Sequence, residues 1–187
     1  MHNSPGIPLG NFSTRKGSTM AASDTFEIVI KGKGSHAAAP HLSVDPVLVS
    51  AHIIIALQSI VSRGMDPLES LVISVTTTHG GDAYNVIPDG VTLSGTVRTL
   101  LPEMRDMAET RIGEIASGVA MAMGAKATLR YHRGYPVTMN HEAETEFALE
   151  IMRKVAGDHA VSDAFPPAMG AEDFSYMLES RPGSFVF

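Results

Sequence analysis

Side chains able to hold a metal, donate to a developing negative charge or clasp a carboxylate stand at His2, His36, Asn85, Arg98 and Glu172. His2 lies in Met1-His2-Asn3-Ser4-Pro5. A neutral imidazole is a good ligand for zinc, manganese, cobalt or nickel, and a proline-rich loop leaves it little freedom. Taken alone, a histidine there is equally a solvated side chain. His36 follows Gly32-Lys33-Gly34-Ser35. A phosphate loop is excluded because the segment lacks the Gly-Lys-Ser/Thr ending that enters a helix directly. A turn histidine and a positioned donor both remain open. Arg98 carries a planar fork suited to both oxygens of a carboxylate, and the Asn85 amide is a neutral donor. An arginine near a strand end is equally a salt-bridged surface group. Glu172 and Asp173 are adjacent, so at a helix start they point in different directions, and one of them favours the helix N-terminus electrostatically. His41, five residues beyond His36, reads as a structural or surface histidine.

The elements that must position these residues follow from periodicity. Residues 1–22 are rich in Gly, Pro, Ser and Asn and read as turns with one short strand. Phe26, Ile28 and Ile30 alternate as a half-buried strand, which Gly32-Lys33-Gly34 stops. Asp45-Pro46 starts one long, well-buried helix from Val47 to Val61, closed by Gly64. Leu71 to Thr77 and Val91 to Val97 alternate again, the second placing Arg98 on a polar sheet face or rim. Pro102 opens a second helix with Met104, Met107, Ala108, Ile112, Ile115, Val119 and Met123 at three-and-four spacing, ended by Gly124. Leu129, Tyr131 and Arg133 mark a fourth strand.

The order β-α-β-β-α-β over 23–137 defines an α+β, ferredoxin-like domain: a four-stranded antiparallel sheet with two helices on one face. After Pro136 the pattern restarts with a helix from about His141 to Ala156, a short strand near Ala160, a short helix from Glu172 and an apolar strand at Phe185-Val186-Phe187. These last elements cannot close a core by themselves.

Composition narrows the function classes. The chain is 44% hydrophobic and 18% charged, which suits a globular fold. A net charge of -6 with scattered lysines and arginines offers no stripe for a nucleic-acid backbone. Without cysteine there is neither a disulfide nor a thiolate metal site. No signal peptide and no run of about 18 apolar residues is visible, so the expectation is a cytoplasmic protein without a membrane span.

Taken in order, Met1-His2-Asn3-Ser4-Pro5, Gly32-Lys33-Gly34-Ser35-His36-Ala37-Ala38-Ala39-Pro40-His41, Asp45-Pro46, Asn85-Val86-Ile87-Pro88-Asp89, Gly95-Thr96-Val97-Arg98-Thr99 and Met169-Gly170-Ala171-Glu172-Asp173-Phe174 resemble the M20 metallopeptidase superfamily, in its amidohydrolase branch. The resemblance runs over nearly the whole chain. It implies a lid or dimerisation domain at 23–137, flanked by partial catalytic domain at 1–22 and 138–187. It also implies a homodimer formed through the lid and a site with two divalent metals drawn from zinc, manganese, cobalt or nickel.

In that site His2 would be a metal ligand and His36 would donate to the scissile carbonyl oxygen, in dimeric members from the neighbouring subunit. Asn85 and Arg98 would hold the substrate carboxylate, and Glu172 would lie near the substrate. The implied reaction is cleavage of the amide bond of N-acyl amino acids, such as hippurate, by metal-activated water.

The family's first metal-ligand motif, its Glu-Glu pair with the general base, and its last histidine ligand have no counterpart among these residues. The expectation is therefore an internal piece that hydrolyses nothing alone. Two alternatives remain: a non-catalytic ferredoxin-like module for self-association or binding, and a dipeptidase or carboxypeptidase built on the same site.

Overall fold

A computed structural model describes all residues, 1–187. The chain divides into two compact units, one of 24–98 and 103–133, the other of 1–23, 99–102 and 134–187. Its strands in chain order are β1 (Phe12–Ser13), β2 (Gly17–Met20), β3 (Ala22–Lys31), β4 (Ser35–His36), β5 (Leu71–His79), β6 (Val86–Ile87), β7 (Gly90–Thr99), β8 (Lys126–Arg133), β9 (Thr138–Asn140) and β10 (Val161–Ser162). The helices are α1 (Pro46–Gly64), α2 (Pro102–Ala122), α3 (Glu142–Ala156) and α4 (Ser175–Ser180).

The unit of 24–98 and 103–133 is the ferredoxin-like one. Its sheet runs β5-β7-β3-β8, with β3 and β8 antiparallel in a register that sets Phe26 opposite Tyr131 and Lys31 opposite Lys126. Alternation sends Phe26, Ile28 and Ile30 of β3 and Val91, Leu93 and Val97 of β7 to one side. There they pack with Val49, Ile53, Leu57 and Ile60 of α1 and Ala108, Ile112, Ala116 and Ala120 of α2. Burial of this apolar surface is the main force holding the unit. Gly95 is needed because a Cβ there would overlap the Phe26 ring and the Ser74 carbonyl.

Asp45 caps α1 as its sequence suggests: Oδ1 accepts from the Val47 and Leu48 amides at 2.8 and 3.3 Å, ahead of Pro46. The expectation that α1 is well buried holds for one face only, since Val47, Leu48 and Ile55 are exposed. α1 is also long and apolar enough to cross a membrane by length and composition. Its packed face, however, makes it the core helix of this sheet.

One feature of this unit was not foreseen. The Asp24 carboxylate, 1% exposed, receives Arg105 Nε at 2.8 Å, a second bond from the same guanidinium, and the Tyr131 hydroxyl at 2.8 Å. This fork ties the start of β3 to α2 and β8. Its hydrogen bond to Asp24 raises the Arg105 pKa, and burial followed by the Asp24 hydrogen bond pushes the Tyr131 phenol far above its usual value.

In the second unit β1 pairs with β10 in parallel and β2 with β9 antiparallel, the latter with an irregularity between Ser18 and Met20. Asn140 is the hub. Its Nδ2 donates to Thr14 Oγ1, the Arg15 carbonyl and the Phe185 carbonyl, and its Oδ1 accepts from the Phe185 amide at 2.7 Å. Phe185–Phe187 is not a regular strand, but Ser13 and Phe187 exchange two backbone hydrogen bonds of 2.9 Å. Ala160 belongs to a 3-10 turn, and the strand expected there is Val161–Ser162. α4 starts at Ser175 rather than Glu172.

Candidate functional site

His36 stands on a two-stranded ribbon, β4 against β6, with Ser35 opposite Ile87 and His36 opposite Val86. The ribbon is held by Asp89, whose Oδ1 accepts from the Gly34 amide at 2.8 Å and whose carbonyl accepts from the Gly32 amide at 2.9 Å. Gly34 must be glycine, because a Cβ would sit 2.6 Å from the Ile87 carbonyl oxygen. The same ribbon brings Asn85 beside His36, since the Ala37 amide donates to the Asn85 carbonyl at 2.9 Å. Both side chains are exposed.

The Ala38 amide donates to His36 Nδ1 at 3.0 Å. That bond needs the Nδ1 lone pair, so the proton of the neutral ring sits on Nε2. His36 therefore presents an N–H donor on the side away from its own loop. His41 lies exposed in the 3-10 turn Pro40–Leu42.

Arg98 is half-buried near the end of β7. Its Nη1 donates to Thr96 Oγ1, to the Val97 carbonyl at 3.0 Å and to the Asp24 carbonyl at 3.4 Å. The salt bridges of the chain pair its carboxylates with other cations and none with this guanidinium. Arg98 lines an open groove of about 650 Å³ on the helix-free sheet face, together with the hydroxyls of Thr25, Thr76, Ser94 and Thr96. Gly90 and Arg98 are eight strand residues apart, a span of about 27 Å. Within one chain, then, the structure brings His36 and Asn85 together and leaves Arg98 near the opposite end of the sheet.

In the other unit, His2 Nε2 lies 2.8 Å from Glu172 Oε2. His2 is held by its amide, which donates to the Val186 carbonyl at 3.1 Å, and by edge-on contact with the Phe185 ring at 5.4 Å. Glu172 Oε1 accepts from the Phe174 amide at 3.3 Å, and Asp173 points to solvent. An imidazole and a nearby carboxylate are suitable chemistry for zinc or a similar ion, so His2 fits as one metal ligand. No third His, Asp or Glu joins them, whereas zinc takes about four donors.

A β5-β7-β3-β8 sheet covered by helices on one face is a ferredoxin-like module. The M20 family's peptidase dimerisation domain matches residues 15–122, more than half of the chain, and the chain belongs to that family. It is 41% identical over its whole length to an N-acetyl-L-cysteine deacetylase of Bacillus subtilis, covering 44% of that protein. It is 38% identical to thermostable carboxypeptidase 2 of Saccharolobus solfataricus, covering 47% of it. The crystal structure of the Bacillus subtilis YXEP protein, a dinuclear metal-binding peptidase of the M20 family, superposes with a TM-score of 0.82 at 32% identity; the match takes in 100% of this chain and 46% of that one. The chain thus spans about half the length of the relatives it matches.

Sequence reasoning singled out His2 and Glu172 separately but missed that they meet. It also missed Asp24, whose carbonyl holds Arg98. A buried aspartate in an otherwise apolar alternation was the available signal.

Proposed function

We propose that this chain is part of a metal-dependent amidohydrolase that cleaves the amide bond of N-acyl amino acids, with Arg98 holding the substrate carboxylate. The observation that carries this reading is the Arg98 guanidinium: one nitrogen is tethered to Thr96 and Asp24, and the group lines a polar groove in which the one carboxylate, Glu27, is already paired with Arg130. A tethered fork of this kind suits two parallel bonds to a carboxylate. The deacetylase named among the relatives acts on an N-acyl amino acid, which has such a group.

The His36 Nε2–H would donate to the carbonyl oxygen of the scissile amide as charge builds on it, with the Asn85 amide beside it as a second, neutral donor to the substrate. The span of about 27 Å between Arg98 and Gly90, which follows the Asp89 that holds the His36 ribbon, favours a homodimer in which one substrate meets Arg98 of one chain and His36 with Asn85 of another. A divalent metal, with His2 among its ligands, would supply Lewis acidity and an activated water.

The test is a titration of the chain with N-acetylglycine and with N-acetylglycinamide, which differs by lacking the carboxylate, followed through the Arg98 guanidinium NMR signals. Only the acid should shift them, and Arg98→Gln should abolish the response. An equal response to both compounds would sink the reading. The carboxypeptidase among the relatives favours a second reading, a peptide with a free C-terminus, which uses the same Arg98 contact. Stronger binding of a dipeptide than of N-acetylglycine would select it.

A further inference from the structure

Thr96 and Arg98 stand two apart on β7, so strand alternation puts both side chains on the helix-free face of the sheet. Three acceptors converge on a single nitrogen of that arginine: Nη1 donates to Thr96 Oγ1, to the Val97 carbonyl at 3.0 Å and to the Asp24 carbonyl at 3.4 Å. β7 and β3 are neighbours in the sheet, so the nitrogen is held from two strands. Two of the acceptors are backbone oxygens, which any residue at 24 or 97 would supply. The Thr96 hydroxyl is the one acceptor of the three that the choice of side chain decides, and its contact is the shortest. A hydroxyl also accepts without carrying charge, so it fixes the guanidinium and leaves the positive charge uncancelled. The carboxylate in the same groove, Glu27, is paired instead with Arg130 at 2.7 Å.

A guanidinium can take a carboxylate with two parallel bonds along either of two edges, one made by Nη1 and Nη2, the other by Nε and Nη2. With the Nη1 hydrogens given to the protein, the second edge is the one left for a ligand. Arg105 presents that same edge to Asp24, through Nε at 2.8 Å and Nη2. We propose that Thr96 is a positioning residue for Arg98, holding Nη1 so that the edge of Nε and Nη2 takes the substrate carboxylate. This rests on the reading of Arg98 as the group that holds the carboxylate and goes beyond it by assigning the edge of the fork and the side chain that selects it. A fork turned away from that orientation keeps its charge but loses the second parallel bond, so Thr96 acts on affinity for the acid through Arg98 without touching the ligand.

The experiment follows the Arg98 guanidinium 1H–15N signals of the 187-residue chain, assigned through Arg98→Gln, first alone and then during titration with N-acetylglycine and N-acetylglycinamide. Without ligand, the tether should slow rotation about the Nε–Cζ bond and keep the Nη1 and Nη2 signals apart. Thr96→Val keeps the β-branched shape without the hydroxyl, so it should merge those signals while the melting temperature stays near wild type. Thr96→Ser restores the acceptor and should separate them again. N-acetylglycine should move the Nε–H signal, with a dissociation constant that rises about 10-fold in Thr96→Val and returns towards wild type in Thr96→Ser. Signals still separate in Thr96→Val, or acid bound there as tightly as by wild type, overturn the positioning role. Acid that moves the Nη1 signal and not Nε–H overturns the assigned edge. Wild-type signals that respond equally to acid and amide, or to neither, remove the reading of Arg98 as the carboxylate group, whatever the Thr96 variants do.

Discussion

Asp24 and Arg105, 81 residues apart in sequence, meet as a two-pronged ion pair, with the carboxylate almost wholly out of water. Charges removed from solvent cost several kcal/mol each unless they are paired and fully hydrogen-bonded. Replacing Arg105 with Leu would leave the carboxylate supported mainly by Tyr131. The expected loss is about 3–5 kcal/mol of unfolding free energy, read from urea denaturation. A loss below about 1 kcal/mol would show that the fork adds little to stability.

Tyr131 gives the same cluster a dependence on alkaline pH. Its phenol ionises at higher pH in the fold than its ordinary value of 10.0, first because it is buried and then because it donates to Asp24. The folded chain thus holds that proton where the unfolded chain releases it. Its contribution to stability is complete below pH 10 and is lost as pH rises above that value. Melting curves between pH 8 and 11 should show wild type losing more stability than Tyr131→Phe. Parallel curves would rule out the linkage.

Gly34→Ala tests how His36 is held. The added methyl would press on the Ile87 carbonyl and disturb the Asp89 bond to the Gly34 amide. The expected effect is a local loss of roughly 1–3 kcal/mol. It should appear as faster amide exchange at Ala37 and Ala38 and loss of the His36 tautomer preference, with the main sheet unchanged. Exchange rates left at wild-type values would mean the ribbon tolerates the methyl.

Asn140→Ala removes the hub of the second unit and leaves the buried Phe185 amide and carbonyl without that partner. The carbonyl keeps the Thr14 hydroxyl at 2.7 Å, so one buried group, the amide, is left unsatisfied at about 1–3 kcal/mol, and a loss of that size is expected. Early exchange should appear at Phe185 and Phe187 and at the amide of His2, which bonds to Val186. Unaltered protection there would mean that another group takes over.

Periodicity made the ferredoxin-like unit readable. Phe26, Ile28 and Ile30 on β3, the Asp45-Pro46 cap and the apolar spacing through α2 each report local geometry, and local geometry is what a linear pattern encodes. The second unit was less readable because its strands have two to four residues, too few for alternation to register. The boundary of α4 was misplaced for a related reason: the backbone and side chain of Glu172 form a turn ahead of the helix rather than its first residue. The place of Asp24 in the β3 alternation hints at burial, but nothing in a linear pattern tells which polar side chains will meet. Asp24 with Arg105, and His2 with Glu172, are complementary only once the chain has folded.

The strand order carries a cost in time. β3, the first strand of the sheet, lies between β7 and β8, which begin only at Gly90 and Lys126. At about 5–20 residues per second, a ribosome leaves Ile28 and Ile30 without either neighbour for several seconds after they are made. Closing these loops before any pairing is rewarded slows folding. During that interval an apolar strand with two open edges is available to other chains, so yield of the folded protein should depend on concentration and on chaperones more than its final stability suggests.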